Sequence, residues 1–495
     1  MARTDPDYWF LPRAEIERTP AYTSRNLVEP LIDGEAYYSH LASRMSTMGA
    51  GDYFHIAGWR VTPTQRLRPT LAGSATFLDQ VRALATAGVT VRAMLWDVPW
   101  PILRLVWGHP RENIAFVRGV RAAGGEAILD ARLPGRHFPS HHQKSIVLRS
   151  DGEHWGYLGG IDICSDRWDT PEHDNASPPR TRENFQAWHD VQMVIRGPAV
   201  AQLWQNFTER WNDLTPPRRR SALGTGGPHY RPIPTPGPAL TAPAGGAHHV
   251  QLLRTLAPGI YPFATSGEQT VRAAYERAID RAEHFIYIED QYFWPSTTVT
   301  RLAAAAARGV KIILVLSQTS LVRGLSFYHN KLRFDALETI RAAGAEQVFV
   351  YHLQRPGNGP VIYCHAKLMI VDDCYAAIGT ANVGRRSYTT DSELHVAVLD
   401  ADTIASTMNG LPVTVCRFAS ELRKRLWGEH LGIGALETLA DPISALACWP
   451  SLTAAAADRP ARPPQTHHAV WHAVPTPRFR VPAVIPNGYM NVKTG

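Results

Sequence analysis

Cysteine is scarce in this chain, and its scarcity excludes two classes of small, cross-linked fold. The 495 residues include five cysteines, an odd number without paired spacing: Cys164, Cys364, Cys374, Cys416 and Cys448. A disulfide framework and a cysteine-based zinc site both need thiols at closer, paired spacing. We therefore expect five reduced thiols in a cytosolic protein.

Long apolar runs are also missing. No segment approaches the ~20 consecutive apolar residues that a helix needs to span a bilayer. The stretch from Met1 to Tyr8 contains acidic residues and no apolar core, so the sequence predicts no signal peptide. A cytoplasmic protein that contacts a membrane surface only peripherally is the resulting expectation.

Charge gives only a general indication of the partner. Charged residues make up 19% of the chain and hydrophobic residues 44%, an ordinary globular composition. The net charge of +7 suits an anionic partner such as lipid phosphate or nucleic acid. Charge alone does not choose between these two partners.

The most informative feature that is present is a histidine-lysine signature in each half of the chain. The first reads His142-Gln143-Lys144 and the second reads His365-Ala366-Lys367; the pairs Gly159-Gly160 and Gly379-Thr380 follow them. One such triplet is common by chance. Histidine can act as a nucleophile or a proton donor near neutral pH, and lysine can bind phosphate. Two pairs brought together would form a site for cleaving a phosphodiester through a covalent histidine intermediate.

Other features recur at nearly the same spacing. Arg121-Ala122-Ala123-Gly124 returns 220 residues later as Arg341-Ala342-Ala343-Gly344, and Gly88-Val89 returns 221 residues later as Gly309-Val310. The two motif histidines lie 223 residues apart. Three recurrences in the same order indicate a tandem duplication.

Helical and strand patterns alternate within each half. The helical patterns cover residues 75–87, 111–123 and 298–308. Apolar strand patterns cover residues 89–95, 126–129 and 311–316. The alternation predicts a layered α/β fold in which much of the sheet is parallel.

Composition suggests four segments. An N-terminal domain over residues 1–214 carries the first motif, and a C-terminal domain over residues 249–445 carries the second. Residues 215–248 form a linker rich in proline and glycine, and residues 446–495 form a tail rich in proline and alanine. We expect the linker and the tail to be extended.

The second motif is long enough to be compared with a known family. It comprises His365, Lys367, Asp372, Gly379, Thr380 and Asn382, followed by Arg386, Ser387 and Glu393. This pattern resembles the H-x-K-x4-D-x6-G-[ST]-x-N signature of the phospholipase D superfamily, and the likeness extends over about residues 30–445. The resemblance implies two α-β-α sandwich domains related by a pseudo-two-fold axis, with the active site at their interface.

Both motifs precede strand patterns, where residues two apart point to the same side. A histidine and its lysine can therefore face one phosphate. Lys144, Lys367 and Asn382 would bind its non-bridging oxygens. By resemblance, His142 is the nucleophile and His365 the general acid and base.

Each histidine also needs an acceptor for its other ring nitrogen. Asp190 and Glu393, which occupy matching places late in each half, are the candidates for these two positions. Which carboxylate serves which histidine is left open by the sequence.

The first half departs from the family pattern. Arg149 stands at the position of Asp372, and Asp162 stands at the position of Asn382. The separation from His142 to Gly159 is 17 residues against 14 in the second half, which predicts a longer first hairpin. The motif aspartate lies beyond the strand, so we expect it to be structural rather than catalytic.

The leading functional hypothesis is a phospholipase D-type phosphodiesterase that hydrolyses glycerophospholipids at a membrane surface, with transfer of the phosphatidyl group to an alcohol as a second outcome. The alternatives are a cardiolipin-synthase-like phosphatidyltransferase, a nuclease of the same superfamily and, least favoured, a non-enzymatic phospholipid-binding protein. Because lysines supply positive charge, no metal or organic cofactor is implied for the reaction. Both motifs lie in one chain, so we expect a monomer without an obligate protein partner.

Overall fold

The architecture comes from a computed structural model. It describes residues 4–12, 21–98, 109–133, 139–174, 187–213, 230–235, 237–238, 240–318, 326–355, 361–450 and 469–471. Much of the predicted linker and most of the predicted tail lie outside these residues. The four segment boundaries therefore stay predictions.

The first half contains eight strands and five helices among the residues described. The strands are β1 Thr23–Ile32, β2 Tyr53–Gly58, β3 Thr90–Trp96, β4 Glu126–Asp130, β5 Ser145–Ser150, β6 Glu153–Gly159, β7 Ala187–His189 and β8 Val191–Arg196. The helices are α1 Pro6–Trp9, α2 Asp33–Met45, α3 Phe77–Thr86, α4 His109–Ala122 and α5 Ala199–Asn212.

The second half contains twelve strands and five helices within the described ranges. The strands are β9 His248–Leu256, β10 Glu268–Gln269, β11 Phe285–Asp290, β12 Lys311–Leu316, β13 Val348–Gln354, β14 Val361–Cys364, β15 Leu368–Val371, β16 Tyr375–Gly379, β17 Glu393–Asp400, β18 Thr403–Met408, β19 Leu411–Cys416 and β20 Ala469–Trp471. The helices are α6 Thr270–Arg281, α7 Thr297–Ala307, α8 Ser326–Gly344, α9 Arg385–Thr389 and α10 Arg417–Leu431. The six sequence-predicted helices and strands are confirmed within two residues.

The two halves repeat one sheet. In the part of the chain described, the first sheet has the order β4-β3-β2-β5-β6-β8-β1. The second has the order β13-β12-β11-β15-β16-β17-β9. In each sheet the first two pairings are parallel and the next four are antiparallel, so the duplication is structural as well as sequential.

The predicted parallel part of each sheet is present and is confined to two of its six strand pairings. Helical crossovers connect β2 to β3 and β3 to β4, which forces parallel pairing. The chain then reverses through tight hairpins that carry the motifs, and these hairpins pair antiparallel. The hairpin of the first motif is longer, as predicted: β5 and β6 span six and seven residues, whereas β15 and β16 span four and five.

Both faces of each sheet are covered, which explains why its strands are apolar rather than alternating. In β5, Ile146 and Leu148 pack into a core shared with α3 and α4. Val147, between them, faces the opposite core, which includes α5 and extends through the second half. The two halves therefore share one continuous core.

Backbone pairing across the halves places the motifs at their seam. β1 pairs with β9, and β14, which leads into the second motif, pairs in parallel with β7 of the first half. On the other side of the seam, His141 bridges Ser392 in parallel. The β14–β7 pairing and the His141–Ser392 bridge bring the motif histidines to the junction.

Two further expectations bear on the character of the chain. None of the five cysteines forms a disulfide. Among the helices in the described ranges, none is long and apolar enough to cross a bilayer.

Candidate active site

Each motif histidine hydrogen-bonds a carboxylate from the other half of the chain. His142 Nδ1 lies 2.9 Å from Glu393 Oε2, and His365 Nδ1 lies 2.7 Å from Asp190 Oδ2. The pairing is therefore reciprocal, so neither half can orient its own histidine. Both ring Nε2 atoms are left to face a substrate.

Backbone hydrogen bonds between the two halves produce this pairing. The amide of His142 donates to Ser392 O at 2.9 Å, and the amide of His365 donates to His189 O at 2.8 Å. Ser392 and His189 each immediately precede an orienting carboxylate. A short backbone contact thus fixes the register between each histidine and its acid.

Small residues after each motif hairpin make room for the carboxylates. A Cβ on Gly160 would lie 2.0 Å from Asp190 Oδ1, and a Cβ on Gly159 would lie 2.5 Å from Val191 O. In the second half a Cβ on Gly379 would lie 2.3 Å from Leu394 O. The residue matching Gly160 is Thr380, whose hydroxyl donates to Glu393 Oε2 at 2.5 Å.

The two motif lysines lie beside their own histidines. Lys144 Nζ donates to His142 O at 3.0 Å and pairs with Asp162 Oδ2 at 3.2 Å. Lys367 Nζ donates to His365 O and to Gln291 Oε1, the latter at 3.3 Å. Both ammonium groups are held next to the position that a bound phosphate would occupy.

Asp162 replaces the motif asparagine, and both of its carboxylate oxygens have partners. Its Oδ1 accepts the amides of Trp59 and Arg60 at 3.0 and 3.1 Å. Its other oxygen balances Lys144. In the second half the side-chain Oδ1 of Asn382 is buried and accepts no hydrogen bond from the described residues.

The segment after the second motif supports the site from behind. Asn382 N donates to Ser387 Oγ at 3.1 Å. Arg386 Nη2 pairs with Asp391 Oδ1 at 3.1 Å, and the same oxygen accepts the amide of Ser140 at 2.8 Å. Arg386 therefore steadies the chain that leads into His142, through an aspartate that sequence reasoning did not single out.

The motif aspartate lies away from the histidines. Asp372 accepts the amides of Glu283, His284 and Phe285 at 2.8, 2.9 and 2.8 Å. It therefore fixes the turn that opens β11, which agrees with a structural role. Arg149, at the matching position, instead pairs with Asp52 at 3.5 Å on the surface, so this substitution leaves the site unchanged.

Burial shifts the pKa of several side chains in the site. It raises the pKa of Glu393 to about 7 and that of Asp190 to about 6. Burial also lowers the pKa of both histidines, and the two lysine charges lower it further. The pKa of Lys367 falls to about 8 through burial.

Aromatic side chains surround the site. The Trp59 ring lies 6.4 Å from the His142 ring and stacks on Trp96 at 5.8 Å. The Trp188 ring lies 5.0 Å from the His365 ring and carries the guanidinium of Arg167 at 3.8 Å. These rings place apolar surface and one further cation next to the histidines.

A Gly160→Ala substitution should lower activity about 100-fold, because the added methyl group displaces Asp190 from His365 and misplacement by about 1 Å has that effect. The measurement is the rate of phosphodiester cleavage, with thermal unfolding measured on the same samples. Gly49→Ala is the matched control, since a Cβ there meets nothing within 4 Å. Equal activity of the two variants would contradict the proposed contact.

Fold and site together define a duplicated α/β protein with one two-histidine, two-lysine site at the seam of its halves. Residues 46–223 match a family model described as phospholipase D, and residues 275–410 match one described as cardiolipin synthase, PLD-like domain. The chain belongs to the phospholipase D superfamily, with two such domains in tandem.

Curated relatives carry the same family name. Phospholipase D1 of Schizosaccharomyces pombe is 30% identical over 76% of this chain and 33% of its own length. Phospholipase D1 of Saccharomyces cerevisiae is 25% identical over 81% of this chain and 28% of its own length. The chain thus spans a third or less of these two relatives, whereas it covers 67% of phospholipase D alpha 1 of Arabidopsis thaliana at 24% identity.

A solved structure supports the fold alone. The phosphatidylserine synthase of Haemophilus influenzae superposes with a TM-score of 0.52 at 10% identity, covering 77% of this chain and 84% of that one. At this identity the likeness carries the architecture and not the reaction.

Proposed function

We propose that this chain is a phospholipase D-type phosphodiesterase that hydrolyses glycerophospholipids through a covalent phosphohistidine. The observation that carries the proposal is the reciprocal pairing of His142 with Glu393 and of His365 with Asp190. Two oriented imidazoles with two adjacent lysines form the minimum set for double displacement at phosphorus. Family membership supports the same chemistry.

In the first step, His142 Nε2 attacks phosphorus while Glu393 holds the proton on Nδ1. A P–N bond forms, the P–O bond to the headgroup breaks, and His365, whose protonated form is favoured once the anionic phosphate is bound beside it, gives its Nε2 proton to the leaving alcohol. The choice of nucleophile agrees with exposure, since the His142 side chain is 15% exposed and that of His365 is 5%. Lys144, Lys367 and Asn382 stabilise the charge that builds on the non-bridging oxygens.

In the second step, water attacks phosphorus from the side that the alcohol left. His365 takes the water proton, the P–N bond breaks, and phosphatidic acid is released. An alcohol in place of water would give transfer of the phosphatidyl group. The match of residues 275–410 to a cardiolipin synthase, PLD-like domain favours transfer as the second candidate activity.

A lipid substrate fits the surroundings of the site better than nucleic acid. Trp96, Val98 and Leu133 form an apolar cluster against which Trp59 packs, and this cluster adjoins His142. The three cluster residues are buried, so the partly exposed Trp59 ring that they support is the apolar surface that suits the glycerol backbone and the first carbons of an acyl chain. The phospholipid would be met at a membrane surface, and one chain supplies the complete site, so a monomer suffices.

The direct test is incubation with phosphatidylcholine vesicles in the presence of ethanol. The native chain should release choline and form phosphatidic acid and phosphatidylethanol, whereas His142→Ala and His365→Ala should not. His248→Ala is a matched control, because His248 lies elsewhere and has its own carboxylate neighbour, with Nε2 3.2 Å from Asp400 Oδ1. Cleavage of DNA in place of phospholipid by the native chain would reject the lipid assignment.

With a phosphatidyl ester of p-nitrophenol, whose leaving group needs no proton from His365, the pH profile of kcat/KM should be narrow, with limbs near pH 7 and pH 8. Burial raises the pKa of Glu393 to about 7, so below this pH the carboxyl is protonated and donates to Nδ1. The proton of His142 then resides on Nε2, which cannot attack. Burial lowers the pKa of Lys367 to about 8, so the phosphate-binding charge is lost above this pH.

Lys367→Arg separates the two limbs. Arginine stays charged throughout this range, so the alkaline limb should disappear even though the absolute rate falls. In native enzyme the limb of kcat should lie above that of kcat/KM, because a bound phosphate favours the charged lysine. An alkaline limb that persists near pH 8 in the arginine variant would contradict the assignment.

A further inference from the structure

Behind the site, four side chains converge on one point. One ligand atom from each of Asp33, His173, His189 and Glu429 lies within 4.8 Å of the other three. His189 Nδ1 is 3.1 Å from Asp33 Oδ1 and 3.1 Å from Glu429 Oε1. His173 Nε2 is 3.6 Å from Glu429 Oε1 and 3.8 Å from Asp33 Oδ2.

These separations, of which one involves Asp33 Oδ1 and another Asp33 Oδ2, are close to the edge length of a metal-centred tetrahedron. With metal–ligand bonds of about 2.0–2.1 Å, tetrahedral geometry puts neighbouring ligand atoms about 3.3–3.4 Å apart. The four separations bracket this value. The two contacts of His173 Nε2 exceed hydrogen-bond length, whereas His189 Nδ1 lies within hydrogen-bond distance of Asp33 Oδ1.

The outer nitrogen of each histidine is already engaged by a carboxylate. His189 Nε2 lies 2.8 Å from Glu289 Oε2, and His173 Nδ1 lies 3.0 Å from Asp169 Oδ2. Metal-binding histidines characteristically donate their second N–H to a carboxylate, which directs the other lone pair at the ion. With an ion bound in place of the protons, both rings would present an unprotonated nitrogen to the same centre.

The carboxylates behind the histidines are themselves fixed. Glu289 Oε1 accepts the Tyr287 hydroxyl at 2.5 Å and lies 2.9 Å from His430 Nε2. Asp169 Oδ2 accepts the amide of Trp188 at 2.7 Å. This outer layer sets the orientation of both imidazoles before any ion binds.

Asp33 provides an independent indication. Its side chain is fully buried, yet Oδ2 accepts no hydrogen bond from the described part of the chain. Asp33 and His173 also adopt left-handed backbone conformations, with φ of 63° and 49°. Strain of this kind at non-glycine residues persists where a functional geometry requires it.

We propose that Asp33, His173, His189 and Glu429 bind one divalent transition metal ion, and that their two nitrogens and two oxygens select zinc. Tetrahedral coordination by histidine and carboxylate is typical of Zn²⁺, and two carboxylates neutralise its charge. All four positions are filled by protein, which makes the site structural. No step of the proposed reaction passes through the ion.

The ion would join the two halves directly behind the catalytic seam. Three ligands belong to the first half and Glu429 lies on α10 of the second. The amide of Asp33 donates to Asp190 O at 2.9 Å, and His189 O accepts the amide of His365. The site thus supports the orientation of Asp190 toward His365.

The competing occupant is a pair of protons. Burial opposes protonation of His173, but the charge of Asp33 and the hydrogen bonds that the ring donates to Asp169 and Glu429 raise its pKa to about 10. Without an ion, the cluster would therefore be a buried network of imidazolium and carboxylate groups. Metal analysis separates the two occupants without reference to lipid hydrolysis.

The test is the zinc content of the purified chain after Zn²⁺ is supplied and loosely bound ions are removed. We expect about one zinc per chain, with X-ray absorption showing four nitrogen or oxygen ligands at about 2.0–2.1 Å and no sulfur. A native chain that retains less than about 0.1 zinc under these conditions would overturn the proposal, whatever its activity.

A pair of variants locates the ion. His173→Asn should lose the zinc, whereas His248→Asn, which alters a histidine–aspartate pair elsewhere, should keep it. Full zinc retention by His173→Asn would also overturn the proposal. If that variant fails to fold, the metal content and X-ray absorption spectrum of the native chain decide the question.

Discussion

A His142→Ala chain should release choline from phosphatidylcholine at least about 10⁴-fold more slowly than the native chain, the scale of loss seen when a covalent nucleophile is removed. In the described part of the site, His365 is the other histidine that a buried carboxylate orients, and its side chain is less exposed than that of His142, at 5% against 15%. Folding should be retained, because the His142 side chain is partly exposed and its one side-chain hydrogen bond is to Glu393. Headgroup release over time, with thermal unfolding as the folding check, measures the effect.

A substrate with a better leaving group distinguishes the catalytic roles of the two histidines. In a phosphatidyl ester of p-nitrophenol, the nitrophenolate departs without being protonated. His365→Ala should therefore still show a burst of nitrophenol, after which hydrolysis of the phosphohistidine intermediate stalls. His142→Ala should show no burst with the same substrate. A burst in the His142 variant, and none in the His365 variant, would reverse the assigned roles.

A Glu393→Gln chain should lose about 10³–10⁴-fold in kcat, although the substituted residue lies in the opposite half from the histidine it serves. The glutamine amide can donate to His142 Nδ1, which leaves the proton on Nε2 and stabilises the wrong tautomer. A comparable substitution of a histidine-orienting carboxylate has an effect of about 10⁴. The measurement is kcat for choline release at saturating phospholipid.

Asp190→Asn is the matched counterpart. It should impair the acid and base role of His365, so the nitrophenyl substrate should restore the first step in this variant. The same substrate should not restore the first step in the Glu393→Gln variant. Restoration of Glu393→Gln instead would mean that the histidine–carboxylate pairs are assigned to the wrong steps.

Much of the site could be predicted locally, because the chemistry and the strand geometry act over a few residues. His142 and His365 precede strands as expected, and their lysines lie beside them. The small pair Gly159-Gly160 was also apparent from the sequence, although the reason for it is a three-dimensional contact with Asp190. Local patterns therefore identify the residues but not the contacts that make them necessary.

The reciprocal pairing could not be predicted in the same way. Asp190 and Glu393 were both apparent as orienting acids from their matching places. Their assignment to histidines depends on how the halves meet, and this is fixed by backbone pairing between segments such as β7 and β14. Such long-range register leaves no periodic signal in the sequence.

The four-residue cluster is a second feature beyond local reading. Asp33, His173 and Glu429 are separated by more than 100 residues, and none shows a metal-ligand spacing. His189 stands beside Asp190, which the sequence singles out, but no local pattern indicates that these four side chains meet.

The central claim, that cleavage passes through a phosphohistidine at His142, is tested most directly by trapping the intermediate. The His365→Ala chain would be mixed with the nitrophenyl phospholipid, quenched in alkaline denaturant, and analysed by intact mass and peptide mapping. The account predicts an adduct of one phosphatidyl group on the peptide that carries His142. An adduct on another residue, or nitrophenol release with no adduct at all, would contradict it.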